Sequence, residues 1–550
     1  MNFFPCAWPV SANLKGNTAH SAPHVLISGD FMATVTLTDY FANLNGWQAR
    51  LLDAGGGDAS VLGTPTSLRI TLGASSEFAG YVITVSGTGF TYVNNVATGG
   101  TMTGLVIADA QGHTVLSVAG LAAGTMASDL SLFASNVFGW DSLDWHNGAS
   151  PFNAWGSLLS GNDTFIGSGL NDDMHMIGFG GGNDVYNMQG GGDNVQGGLG
   201  SDTINGGDGW DTFSFTSTFF TEGVSIIQGA TFNIDAGTVV DCWGFTDRFT
   251  SIEYFIGSVL ADTFNGGAGD DNFSGVRGND SFNGGSGGSD MVRYQDDAWH
   301  GGNFGIVADL EVSTVGGIHG TIRDGFGNID TTLNIENVSG TRYNDTLVGS
   351  SANNNLAGGE GKDRYDGGLG GQDWVFFNWW FTDQVQTGIV VDLSRATGQI
   401  RNDGFGNIET ALSIEGIGGN DHGDKIKGSA TRNWIEGADG KDTMTGAGGQ
   451  DEFMFISRDH FGDGDRITDF HAGAGVDQDV LQIHVSNWGA TTNLHLVNGT
   501  AATGAFSTFI FNAVNDTLYW DADGTGAQAK IAVCVLTNVA SLSGANFDLV

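Results

Sequence analysis

From Gly197 to Phe215 the chain reads GGLGSDTINGGDGWDTFSF. This is a nine-residue unit, GGxGxDxUx with U apolar, stated twice. Glycine loses more conformational freedom on folding than any other residue, and clustered carboxylates repel one another. Such a stretch holds one shape only if its period builds a fold and something neutralises its charge. The unit recurs in four blocks. Its sixth position is Asp163, Asp172, Asp184, Asp193, Asp202 and Asp211 in the first, and Asp262, Asp271, Asp280 and Asp290 in the second. It is Asp345, Asn354, Asp363 and Asp373 in the third, and Asp424, Asn433, Asp442 and Asp451 in the fourth. Two residues on from each of these 18 anchors, from Phe165 to Phe453, the residue is apolar every time. Against the 40% apolar background of this chain, chance would do that about once in 10⁷ trials.

Six residues of Gly, Asp and Asn supply positive φ and tight turning. The three residues x-U-x are a minimal strand with one side chain inward. A turn and a strand make half a coil, so residues 18 apart stack. The period predicts Asp184 over Asp202, Asp193 over Asp211, Asp262 over Asp280, and Asp345 over Asp363. Stacked carboxylates need a cation, and a hard divalent ion also takes the backbone carbonyls of the turns. Composition agrees. Net charge is −42, and 51 of the 61 acids are Asp, the short side chain that holds a ligand close to the backbone. Nucleic acid is disfavoured as a partner, because phosphate binding needs Lys and Arg. Oxygen-rich Gly-Asp turns suit Ca²⁺, several ions in all. Asn354 and Asn433 each remove one charge, so their sites are expected to be the weakest, and Asn→Asp there to tighten them.

The GGxGxDxUx unit resembles the haemolysin-type calcium-binding nonapeptide of RTX proteins. That resemblance implies parallel β-rolls, with the 18 sixth-position residues as metal ligands. The expected fold class is all-β: a parallel β-roll or β-solenoid in several Ca²⁺-binding blocks, with an N-terminal antiparallel β domain and a C-terminal β cap. The expected order is a leader over 1–25 without a Sec signal, a β domain of unknown role over 26–155, and the first roll block over 156–214. An insert (215–256), the second block (257–294), an insert (295–339), the third block (340–376), an insert (377–418) and the fourth block (419–455) follow. Residues 456–550 form the cap. The inserts echo one another, as in TIRDGFGNIDTTLNIENVSG (321–340) and QIRNDGFGNIETALSIEGIGG (399–419). They are expected to widen coils of the solenoid without binding ions. WVFFNWWF (374–381) is read as aromatics filling a coil core, with an exposed platform for a glycan as the other reading.

No run of 18 apolar residues occurs, so no membrane span is expected. Three distant cysteines, Cys6, Cys242 and Cys534, imply no disulfide framework. The segment SLSGANFDLV (541–550), with Asp548 before Leu549 and Val550, is similar to the C-terminal signal of type I secretion substrates. The resemblance therefore implies an extracellular, secreted protein with the type I secretion apparatus as a partner. A catalytic motif is not legible. None of the 12 histidines precedes a Glu, so HExxH is absent. The one GxSxG match, Gly284 to Gly288, lies inside a nonapeptide turn, and DADGTG at Asp521 would have Ala532 where an EF-hand has Glu. The favoured function is a non-enzymatic calcium-binding surface, matrix or adhesion component. The alternative is a secreted polysaccharide-modifying enzyme or glycan-binding protein, acting through residues 26–155 or the interrupted roll, with a glycan or cell surface as partner.

Overall fold

The computed structural model describes six strands between residues 34 and 119, and residues 162–167, 169, 171–172, 181–216, 226–313, 317–377, 385–456, 464–473, 475–485 and 494–550. Each described x-U-x unit forms a strand of two to four residues, as in Thr203–Asn205 and Thr212–Ser214. The U side chain points between two sheets. Of the 18 U residues, 17 are buried, and Met174 lies outside the described residues. These inward rings build one continuous core. Phe232, Phe264 and Phe282, on successive coils, stack with centroids 4.9 and 5.0 Å apart.

The two faces of the roll differ. One is a 13-stranded sheet running from Asn194–Val195 to Phe547–Leu549, parallel throughout and adding one strand per coil. The other is broken by antiparallel meanders. In the first insert, Thr246–Thr250 runs parallel to Thr203–Asn205, Thr238–Val240 runs back against it, and Thr231–Asn233 returns to pair in parallel with Thr263–Asn265. The second insert repeats this with Ile329–Leu333, His319–Arg323 and Val307–Ser313. The third repeats it with Thr410–Leu412, Ile400–Asn402 and Val390–Asp392, the first two joined by the single bridge of Ile400 to Glu409. The inserts thus continue the solenoid, but they add an up-down-up meander to one face while the other face gains an ordinary strand. That is a correction to the expected wider coils.

At the N-terminal end, the strands Ser60–Thr64, Ser67–Thr71, Val82–Val93, Val96–Ala108, Thr114–Ala119 and Thr34–Leu37 form an antiparallel run. Its last member pairs in parallel with Thr164–Ile166, so this sheet continues into the roll. At the other end, Ile531–Leu536 lies parallel to Arg466–Ile467, and Phe509 packs on Trp520 and Phe547. Among the described residues of the aromatic run, Val375 is fully buried in the core and Phe377 packs half-buried against it. Trp374 and Phe376 stack 5.1 Å apart on the outer side of the same strand, closely over Gly416 and Gly418 of the next coil. A Cβ on Gly416 would lie 2.1 Å from the Trp374 ring. The expected core filling is shared by Val375 and Phe377, and residues 378–381 lie outside the described residues.

Candidate metal centre

The first glycine of each nonapeptide makes room for the sixth residue. A Cβ on Gly275 would sit 2.1 Å from Asp280 Oδ2, and one on Gly437 2.2 Å from Asp442 Oδ2. The fourth position packs turn on turn. Gly200 has φ +136°, and a Cβ there would sit 1.4 Å from the Gly182 carbonyl oxygen of the preceding coil. The turn backbones therefore bring rows of carbonyl oxygens beside the carboxylates.

All 18 predicted residues are buried, none more than 7% exposed. They form two columns, one at the edge of each face. Each backbone N–H donates to the carboxylate one coil on. Asp184 N–H reaches Asp202 Oδ1 at 2.7 Å, Asp193 N–H reaches Asp211 Oδ1 at 2.8 Å, and Asp262 and Asp345 reach Asp280 and Asp363 at 2.8 Å. The same contact links Asp163 to Asp184, Asp172 to Asp193, Asp271 to Asp290, Asn354 to Asp373, Asp424 to Asp442, and Asn433 to Asp451.

The columns run on through residues that the nine-residue period passed over. Asp202 donates to Asp247, Asp211 to Glu253, Asp280 to Asp330, Asp290 to Glu336, Asp363 to Glu409, and Asp373 to Glu415. Asp442 and Asp451 donate to Asp465 and Asp479 of the cap. These acids lie 23 to 50 residues from their partners, so no fixed period finds them. A signal was present. DRFTSIE (247–253), DTTLNIE (330–336) and ETALSIE (409–415) each place two acids six apart. A residue of positive φ, Ser251, Asn334 or Ser413, turns the chain between them.

The carboxylates fall into two states. Those opening the second, third and fourth blocks are closed by protein donors. Asp262 accepts from Ala230 N–H at 2.5 Å and Ser258 N–H at 2.7 Å. Asp345 accepts from Ile306 and Thr341, and Asp424 from Ile389 and Asn420. By contrast, the Oδ2 atoms of Asp184, Asp193, Asp202, Asp211 and Asp247, and Glu409 Oε2, are buried without a hydrogen-bond partner. Burial pushes Asp184 and Asp193 up to about 7. Burial, and then the charge of Asp247, push Asp202 up to about 9. Among the described residues, no group of three or more acidic, histidine or cysteine side chains is placed to hold an ion by itself. An ion in these turns draws most of its six to eight oxygens from carbonyls and water. Open, buried carboxyl oxygens beside stacked carbonyls suit a hard divalent cation, which would displace their protons.

Asn354 and Asn433 use their side-chain amides to tie one coil to another. Asn354 Nδ2 donates to the Glu336 carbonyl at 2.6 Å while its Oδ1 accepts from Ser350 N–H. Asn433 Nδ2 likewise donates to the Glu415 carbonyl at 3.1 Å. The amide fastens the first coil of a block to the insert before it. Asn354→Asp and Asn433→Asp will each lose that donor and set a carboxylate oxygen against a carbonyl. We expect each to cost about 1–3 kcal/mol and to leave calcium affinity no tighter, as read by thermal unfolding and calorimetric titration of the full chain. Tighter binding would restore charge count as the controlling factor at these positions.

The family model for the RTX calcium-binding nonapeptide repeat matches residues 189–216, 256–289, 339–371 and 418–453. No curated protein matches the chain. The matched stretches are the turns just described, whose stacked oxygens explain why RTX nonapeptides bind calcium ions at several sites. This chain is therefore built on four copies of the RTX calcium-binding nonapeptide repeat, wound into a calcium-binding parallel β-roll.

Proposed function

We propose that this is a secreted, non-enzymatic surface, matrix or adhesion protein that is exported unfolded and folds on meeting extracellular calcium, with the 16 aspartates and two asparagines of the nonapeptides lining the ion sites. The observation that carries this reading is the ladder of buried carboxylates with open oxygens, which makes the roll conditional on a cation. Binding modules of the extracellular space work at about 10⁻⁴–10⁻³ M calcium, so the chain stays open inside the cell and closes outside.

Export by a type I apparatus is part of the proposal. The segment around Asp548 has two parts to play. Phe547–Leu549 pairs with Val480–Ile483, and Phe547 packs 5.2 Å from Phe509. Deletion from Phe547 onward will therefore weaken the closed cap as well as export. Asp548 is exposed and separates the two effects. In a host supplied with a type I exporter, the wild-type chain is expected in the medium and folded. Asp548→Lys is expected to stay in the cell yet fold with calcium once purified. Retention of the wild-type chain despite the exporter would overturn the secretion reading.

A further inference from the structure

The three meanders share a turn, and the first lacks the asparagine that the other two carry at its fifth position. The turns read DCWGFTD (241–247), DGFGNID (324–330) and DGFGNIE (403–409). In each, the opening aspartate accepts two backbone N–H groups through Oδ1. For Asp324 the donors are Phe326 at 3.0 Å and Asn328 at 2.6 Å; for Asp403 they are Phe405 and Asn407, both at 2.9 Å; for Asp241 they are Trp243 at 3.0 Å and Phe245 at 2.7 Å. The second oxygen separates them. Asn328 and Asn407 donate their side-chain amides to Oδ2 of Asp324 and Asp403 at 2.8 Å. The matching residue of the first turn is Phe245, exposed and without a side-chain donor, and Asp241 Oδ2 is left buried with no partner.

Asp247, six residues on in the same turn, has the same open oxygen. Both side chains are 0% exposed. Val239 is paired with Asp247 across the hairpin, so Asp241 is the diagonal neighbour of Asp247 on the inward face. The charge of Asp241 is felt at both Asp247 and Asp202. In the second insert the corresponding strand acid is closed as well, since Asp330 Oδ2 accepts the Tyr294 hydroxyl at 2.8 Å. Only the first insert, among the described residues, leaves both the turn aspartate and the strand acid open.

We propose that the turn at 241–247 binds a hard divalent cation through Asp241 and Asp247, a site in the first insert that adjoins the carboxylate ladder at Asp247, and that Asn328 and Asn407 close the equivalent positions of the other two inserts. Two carboxylates and neighbouring carbonyls and waters supply the oxygens such an ion requires. The proposal rests on the calcium-binding reading of the roll only for the identity of the ion.

The test uses the full chain, its bound calcium measured by elemental mass spectrometry as the excess over buffer in gel filtration on a column equilibrated in millimolar calcium. Phe245→Asn supplies the missing amide on an exposed side chain. It is expected to lower the content by one ion per chain while the circular dichroism of the roll stays unchanged. Asp241→Asn is expected to remove the same ion. With Tb³⁺ in place of calcium, tryptophan-excited luminescence is expected to lose one component in both variants, because Trp243 borders the site. A folded Phe245→Asn protein with the wild-type ion content and luminescence overturns the proposal, whatever Asp241→Asn does. Loss of every ion from the wild-type chain in the same assay would instead strike the calcium-driven fold itself.

Discussion

Stripped of metal at neutral pH, the protein will lose its roll, and calcium will restore it in a cooperative transition. Each coil orders 18 residues around two inward side chains, and at its edges it buries two carboxylates. At neutral pH those carboxylates must either bind protons or stand as charges out of water. Asp184 and Asp193 are raised from 3.8 to about 7; for the more deeply buried Asp184 this corresponds to a cost on the order of 4 kcal/mol to the metal-free fold when ionised, and solvent screening makes it less for Asp193. A cation that binds the native state alone reverses this by mass action, contributing about 2.7 kcal/mol per site at a hundred times its dissociation constant. Circular dichroism and amide-exchange protection followed through a calcium titration of metal-free protein check the result. A spectrum unchanged on complete removal of metal, with the removal verified by elemental analysis, would show that the apolar core suffices.

Acid will partly replace calcium. The ladder carboxylates have folded-state values above their unfolded ones. Between about pH 4 and the raised values, the folded state therefore binds more protons than the unfolded state. Stability of the metal-free roll is greatest below that window and falls as pH rises through about 7 for Asp184 and Asp193, about 8 for Asp247 and about 9 for Asp202. Burial is the first cause for all four, and like charge along the column adds to it. Metal-free protein at pH 5 should thus show roll structure that it lacks at pH 8. Calcium affinity should move the opposite way, weakening at least tenfold from pH 8 to pH 5.5 as protons compete for the same oxygens. Both follow from circular dichroism and calorimetry in metal-depleted buffers. A metal-free roll that is more stable at pH 8 than at pH 5 would contradict the ladder.

The amino-acid pattern alone determined the coil, because its causes are local. Positive φ at the glycines, a short carboxylate at position six and one apolar residue two places later act within nine residues, and they place Asp202 before Ile204 or Asp363 before Tyr365 without reference to the rest of the chain. The acid that receives the Asp202 N–H is Asp247, and the one that receives the Asp280 N–H is Asp330, 50 residues away across a meander. Those pairings exist only once three strands have been laid into one face, so no spacing rule reaches them. The same holds for Asn354, whose type looked like a missing charge and whose amide proved to be a tie to the Glu336 carbonyl. It holds for Trp374 and Phe376, which lie outside the core because Gly416 and Gly418 of the next coil leave room there for their rings. It holds for Asp241, which matches Asp324 and Asp403 in its turn but lacks the amide that closes them. Local turn chemistry is written residue by residue, whereas the state of a buried oxygen depends on which donor another coil brings to it, and only the stacked structure decides that.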